Sequence, residues 1–344
     1  MNTSDIFYPV AHRSDKEIAA LKRRYEVFDE AVIPSLVRES IGMTAVSWNK
    51  PESWSTSHVI YIVTVKERAR PIVVRANIGW GEPERYMQVE KLITDQVAST
   101  GVPVNRILFV DISRSQYPFD YQIQDMLEGD DIEKAFHGTR TEYDELSFAI
   151  GQSIAKWGTL RYEKFGRFDP VSAANGVLVG TKSSMYEYML VRLDEDIRYL
   201  VDASVIPVKL ADPVRALFDT YKSVMTVASP TLVQYDLADH NIMFDGEKTI
   251  TGIFDWEAAV AGDPVLDLAS APTWKTFYPR EEKLIEGYTS ISKLPTFFKE
   301  KMRIYTLRTM LWKMVYAIRA GILTDERKRK FDAALQPYKQ ELLR

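Results

Sequence analysis

The hydrophobic period of this chain changes once, at about residue 128, and that change limits the folds it can adopt. Before it, short β-rich runs recur at residues 43–48, 59–66, 71–78, 106–111 and 119–126. Charged Glu67-Arg68-Ala69-Arg70 separates two of them, as a hairpin tip would. One helical pattern, about residues 84–99, stands among the strands and stops at Gly101. Apolar Ile18, Leu21, Tyr25, Phe28, Val32 and Leu36 predict helices ahead of the sheet, with a break before Pro34. After residue 128 the patterns lengthen to helices over about 141–164, 185–200 and 214–227, with one β interruption at 231–255. A late stripe (Met302, Ile304, Leu307, Leu311, Met314, Ile318) reads as a helix packed in a core. The predicted class is α+β in two lobes. Residues 1–127 form an antiparallel sheet with one helix and a helical N-terminal extension; residues 128–344 form a mostly helical lobe.

Composition removes several kinds of chemistry. The 344 residues hold no cysteine, which excludes disulfides, thiolate metal sites and cysteine nucleophiles. Four histidines make a His-rich metal centre a poor expectation. Lys plus Arg number 44 against 48 Asp plus Glu, which argues against a nucleic-acid partner bound through a broad basic face. No apolar run reaches the ~18 residues of a membrane span, and the N-terminus does not read as a signal peptide. A cytoplasmic globular protein, monomeric or weakly dimeric, is the expectation.

The most informative stretch is residues 231–267. Apolar Ile242-Met243-Phe244, the turn residues Asp245-Gly246 and the run 249–254 read as a β-hairpin. Pairing Phe244 with Thr249 puts Asn241 opposite Gly252 and Ala238 opposite Asp255, and a small slip brings Asp255 closer to Asp236. In either register Asp236, Asn241 and Asp255 gather at the open end of one hairpin. Two carboxylates and an amide oxygen form a hard-oxygen set that suits Mg²⁺, which takes its other ligands from water and substrate phosphates.

Asp236…Asn241, then Ile253-Phe254-Asp255-Trp256-Glu257, then Gly262-Asp263-Pro264…Asp267-Leu268-Ala269 resembles the aminoglycoside phosphotransferase and choline-kinase-like family. The layout is most similar to the hygromycin B phosphotransferase branch, through the order of segments, the Phe165-Gly166-Arg167-Phe168 patch and the C-terminal helices. The resemblance implies a protein-kinase-like fold whose first lobe binds nucleotide and whose second carries the catalytic hairpin and the substrate site. It implies ATP or GTP and Mg²⁺ as cofactors. Asp236 would accept the proton of, or orient, the attacking hydroxyl; Asn241 and Asp255 would hold the metal. Arg75 and Glu90 would take the places of the strand lysine on the phosphates and its helix glutamate. Ser55 and Ser57 would cradle phosphates, and Gln124 and Met126 would stand in the hinge at 124–129 against the base.

Three departures from the family pattern stand out. An arginine replaces the lysine, residues 53–58 lack the glycines of a phosphate loop, and Gln234 stands where a histidine usually braces the loop. Asp263 reads as a helix N-cap before Pro264, and Asp267 either braces the catalytic loop or lines the cleft. His240 reads as a solvated loop residue.

The expected activity is transfer of a γ-phosphate to a hydroxyl of a small polar molecule, with an aminoglycoside favoured, as in hygromycin-type antibiotic resistance. A polycationic substrate calls for an acidic cleft, and Asp239, Glu257, Asp263 and Asp267 cluster around the catalytic elements. Trp274 and Tyr235 are candidates to stack on sugar rings, whereas Trp256 reads as core. The alternatives are a kinase of another metabolite or a macrolide, and a non-catalytic pseudokinase.

Overall fold

The computed structural model describes residues 14–51, 58–78 and 86–342. Helices α1 (Asp15–Lys22), α2 (Arg24–Val27) and α3 (Ile33–Ile41) come first. The break falls at Asp29, earlier than expected: its carboxylate accepts the Ala31 N–H at 3.0 Å and turns the chain. Pro34 instead sits in the first turn of α3, where its missing N–H leaves no bond unmade.

Strands β1 (Ala45–Asn49), β2 (Val59–Val65) and β3 (Ile72–Asn77), helix α4 (Tyr86–Ser99), and strands β4 (Ile107–Asp111) and β5 (Asp120–Asp125) follow. The five strands form one antiparallel sheet in the order β1-β2-β3-β5-β4. Side chains alternate across a strand, so its two faces have separate fates. Ile72, Val74, Ala76, Tyr121 and Ile123 join a first core with Phe28, Ile33, Leu36 and Val37. Val73, Arg75, Gln122 and Gln124 stand on the opposite face, in paired register, turned to the functional site.

Residues past the hinge supply β6 (Asp130–Asp131), α5 (Ile132–Ala135), α6 (Arg140–Trp157), β7 (Phe165–Phe168), α7 (Pro170–Ala174) and β8 (Gly180–Lys182). Next come α8 (Met185–Met189), α9 (Leu193–Asp202) and α10 (Ala211–Thr220). The helix expected over 141–164 stops at Gly158, and the one expected over 185–200 is two, broken at Arg192 in the left-handed region (φ 55°). Strands β9 (Thr231–Val233), β10 (Ile242–Phe244), β11 (Ile250–Ile253) and β12 (Val260–Gly262) carry the β interruption. Helices α11 (Val265–Ser270), α12 (Glu281–Thr289), α13 (Phe298–Arg319), α14 (Asp325–Leu335) and α15 (Lys339–Leu342) close the chain.

Sheets β11-β10-β6 and β8-β7-β12-β9 frame the second core, which α13 crosses with Ile304, Leu307, Leu311 and Met314 buried. Helix α4 contributes Val89, Ile93 and Val97 to this second core, tying it to the first sheet. The hairpin register differs from the expected one: Ile242 pairs with Ile253, and after an irregularity Phe244 pairs with Ile250. The turn is longer because the Asp245 carboxylate accepts the N–H groups of Glu247, Lys248 and Thr249. A parallel bridge from Val104 to Ile253, with Ile253 N–H donating to Pro103 C=O at 2.9 Å, ties the hairpin to the first lobe.

Helices α6 and α12 approach through paired glycines. A Cβ on Gly151 would lie 2.1 Å from the Leu284 carbonyl oxygen, and one on Gly287 would lie 1.9 Å from that of Phe148. Gly287→Ala is therefore expected to force these helices apart and destabilise the protein by about 1–3 kcal/mol, read as a lower urea midpoint.

Candidate active site

The loop after β9 is strained and heavily braced. Tyr235 has φ 69°, a conformation that bulky residues rarely adopt. Fully buried Asp267 holds it in place. One carboxylate oxygen accepts the Tyr235 N–H at 2.8 Å; the other accepts the Gln234 N–H and the Trp157 indole N–H, each at 3.0 Å. The Tyr235 hydroxyl accepts the Trp312 indole N–H at 2.8 Å. Gln234 stitches the loop to the next element: its Oε1 accepts the Asp236 N–H at 2.6 Å, and its Nε2 donates to Asp255 C=O at 3.0 Å.

This scaffold presents three oxygen-bearing side chains to one cavity of about 740 Å³. Asp236 is 6% exposed, and its Oδ1 is buried without a hydrogen-bond partner among the described residues. Burial pushes its carboxyl above the usual range, while His240 and Lys313 pull it down. Asn241 donates its Nδ2 to Asp236 C=O at 2.9 Å, which leaves its side-chain oxygen for the cavity. Asp255, itself left-handed at φ 60°, keeps 34% of its side chain exposed. Burial and the neighbouring Glu257 carboxylate push its pKa well up, and Arg75 opposes them.

Arg75 and Glu90 form a buried pair, with Nη1 at 3.1 and 2.9 Å from the two carboxylate oxygens. The other guanidinium nitrogen lies 2.6 Å from Glu257 Oε2, 3.4 Å from Asp255 Oδ1 and 2.6 Å from His58 Nε2. Burial disfavours the arginine charge, but Glu90, Glu257 and Asp255 outweigh it and raise the pKa. Glu90 also accepts the Trp256 N–H at 3.2 Å, so the pair reaches from the sheet to the segment that carries Asp255.

Of the residues singled out from the sequence, Arg75, Glu90, Gln124, Met126, Asp236, Asn241, Asp255, Glu257 and Trp274 line this cavity. Ser55 and Ser57 lie outside the described residues. Two expected substrate contacts are corrected. Asp239 is buried between the Tyr143 hydroxyl and Arg280 Nη1, each at 2.8 Å, and Asp267 lies behind the loop that carries Asp236 as its brace. Asp263 likewise turns inward, to Lys301 at 2.7 Å and the Tyr305 hydroxyl at 3.1 Å. Tyr235 is core rather than a stacking wall, and Trp256 packs edge-on against Trp157 in the core.

Other wall residues carry little sequence signal. His240 Nδ1 lies 2.9 Å from Glu133 Oε2, and both residues line the cavity. This bond is the main reason the Glu133 carboxyl falls to about 2. Lys313 is fully buried on α13; it donates to Thr273 Oγ1 at 2.6 Å and stands 3.3 Å from the centre of the Trp274 ring. Burial lowers its pKa well below that of an ordinary lysine, against the pull of Asp236. Nothing in the hydrophobic spacing of 302–318 marks a lysine that packs beneath an aromatic wall.

Among the described residues no three His, Cys, Asp or Glu side chains converge as a metal site. The donors available to a cation are the Asn241 amide oxygen and the carboxylates of Asp255 and Asp236. That all-oxygen set fits Mg²⁺, with open positions left for phosphate oxygens and water.

A model of the phosphotransferase enzyme family (APH) matches residues 51–292. A comparison with curated proteins finds no match. Among solved structures, aminoglycoside phosphotransferase APH(4)-Ia is similar at 16% identity and a TM-score of 0.64, covering 89% of this chain and 98% of its own. The GDP complex of aminoglycoside 2′-phosphotransferase IIIa is 12% identical, with a TM-score of 0.60 over 91% of this chain and 97% of its own. The streptomycin–ATP complex of APH(2″)-IIa is also 12% identical, at 0.56 over 90% and 97%. At these identities the likeness is one of fold. Among the described residues no helix is long and apolar enough to cross a membrane. With the family model spanning most of the sequence and the two-lobed kinase-like fold in place, the chain belongs to the phosphotransferase enzyme family.

Proposed function

We propose that this protein transfers the γ-phosphoryl group of ATP or GTP, with Mg²⁺, to a hydroxyl of a small polar molecule. The observation that supports this most is the buried Asp236 oxygen, without a partner among the described residues, on the same cavity as Asn241, Asp255 and the Arg75–Glu90 pair. In the transfer the substrate oxygen bonds to the γ-phosphorus, and the bond from that phosphorus to the bridging oxygen breaks. The nucleoside diphosphate leaves, and the hydroxyl proton passes to Asp236. The raised pKa of Asp236 suits a group that must both take up and release a proton. Asn241 and Asp255 would hold the metal, which neutralises phosphate charge when bound. Arg75 would place its fixed charge on the phosphates, which must displace Glu257 from its free side.

An aminoglycoside is the substrate class first in line, since relatives of this fold are named with hygromycin B and streptomycin. A second reading is a kinase of another metabolite or a macrolide. Of the four acids expected in the cleft only Glu257 reaches it, and the walls mix charges, with Asp125, Asp131 and Glu133 beside Lys134, Lys275 and Arg327. Nucleotide consumption across a panel of aminoglycosides, macrolides, amino alcohols and sugars separates these readings. Absence of Mg²⁺-dependent thermal stabilisation by either nucleotide would favour the pseudokinase. A cytoplasmic monomer or weak dimer, supplied with nucleotide, is the setting this reading assumes.

Asp236→Asn is expected to lower turnover by about 10²–10⁴-fold with nucleotide-dependent stabilisation retained. Asp255→Asn should lose the Mg²⁺-dependent part of that stabilisation, and near-normal turnover in both variants would overturn these roles. Arg75→Met leaves Glu90 buried without its cation and is expected to destabilise the fold by about 3–5 kcal/mol. Arg75→Lys, which keeps the charge but not the fork, should restore part of that loss in thermal unfolding.

A further inference from the structure

The first lobe carries a chain of amides whose orientation can be read atom by atom. It begins at Glu90, whose carboxylate accepts both hydrogen bonds from Arg75 and one from Gln122 Nε2 at 3.2 Å. An ionised carboxylate only accepts, so the atom of Gln122 facing it must be the NH₂ group. That NH₂ group also donates to Gln124 Oε1 at 3.0 Å, and Asn105 Nδ2 donates to the same oxygen at 3.0 Å. Both lone pairs of Gln124 Oε1 are therefore engaged. Turning the Gln124 amide over would set its NH₂ against the NH₂ of Gln122, whose orientation Glu90 fixes.

What remains of Gln124 is its NH₂ group, on a half-buried side chain that lines the cavity where β5 runs into the hinge. Apolar Ile60, Val73, Met126, Met243 and Phe254 line the same cavity and offer surface suited to the flat faces of a purine. Guanine offers an acceptor, O6, at the position where adenine offers the N6 donor, while N7 accepts in both. A donor locked in one orientation pairs with the first and opposes the second. Such a mismatch leaves two desolvated donors facing each other, and an unpaired buried polar group is where hydrogen-bond discrimination is strongest.

We propose that Gln124, oriented by Glu90, Gln122 and Asn105, selects a 6-oxopurine nucleotide, so that GTP is bound in preference to ATP. This assignment rests on the phosphotransferase reading and names the nucleotide of that same site. Gln124 acts as a specificity residue through its single donor group.

The test is calorimetric binding of GTP, ITP and ATP with Mg²⁺ to the full chain, alongside thermal shift. GTP and ITP, which share O6, are expected to bind about ten- to a hundredfold more tightly than ATP. Gln124→Leu should bring the three affinities within about twofold of one another, the donor being gone. Gln124→Glu keeps an acceptor for Asn105 and Gln122 while presenting only acceptors to the base, so it should reverse the order in favour of ATP. A merely structural glutamine would not produce that reversal. Should a variant fail to fold, the wild-type affinities still decide. Equal or tighter binding of ATP overturns the assignment while leaving the phosphotransferase reading intact, and ITP behaving like ATP does the same by assigning the preference to the 2-amino group. A preference that persists in Gln124→Leu also overturns it. Stabilisation by none of the three nucleotides removes both readings.

Discussion

One buried carboxylate, that of Glu90, holds the two lobes in register around the cavity. It stands on α4, which packs into the second core, yet it accepts from Arg75 on β3, from Gln122 on β5 and from the Trp256 N–H just beyond Asp255. A carboxylate has about four lone-pair sites and no donor, so one group can gather several donors at fixed angles. At 1% exposure its charge would be very unfavourable without the guanidinium beside it. Replacing the family's lysine by arginine makes this arrangement wider: the planar fork reaches Glu90 on one side and Glu257 on the other. An ammonium group, a single point of charge, does not span two carboxylates in that way.

A second carboxylate governs the loop that carries Asp236. Tyr235 and Asp255 both adopt left-handed backbone, which persists only where the surroundings over-determine it. Asp267 supplies the restraint for Tyr235 through two backbone N–H groups, and burial pushes its own carboxyl up to about 6 against those bonds. Gln234 supplies the restraint between Asp236 and Asp255, accepting from one and donating to the other. An amide can do both at once, which is why the loop tolerates losing the histidine usual at that place.

The walls of the cavity follow from how charge is neutralised elsewhere. Asp239, Asp263 and Asp267 are close in sequence to Asp236 and Asp255, but Arg280, Lys301 and the loop backbone consume their charge inside the protein. Glu257 remains in the cavity because its partners, Arg75 and His58, line it as well. Trp274 is kept in the wall by Lys313 beneath its ring and by Lys330, which donates to its carbonyl.

The residue pattern by itself determined the kinds of element and the core of the site. Period-two runs specified the strands of the sheet, and a short hairpin gathers Asp236, Asn241 and Asp255 at its open end, because both strands run from the turn toward that end. Helix ends were less legible: Gly158 and Arg192 interrupt patterns whose apolar spacing continues past them. Only the tertiary structure decided which acids face the cavity and which way the amides of Gln122 and Gln124 point. The reason is that a carboxylate or an amide faces solvent or protein according to partners brought from distant elements. Arg280 lies 41 residues from Asp239 and Glu90 lies 32 from Gln122, and no local spacing encodes such pairings.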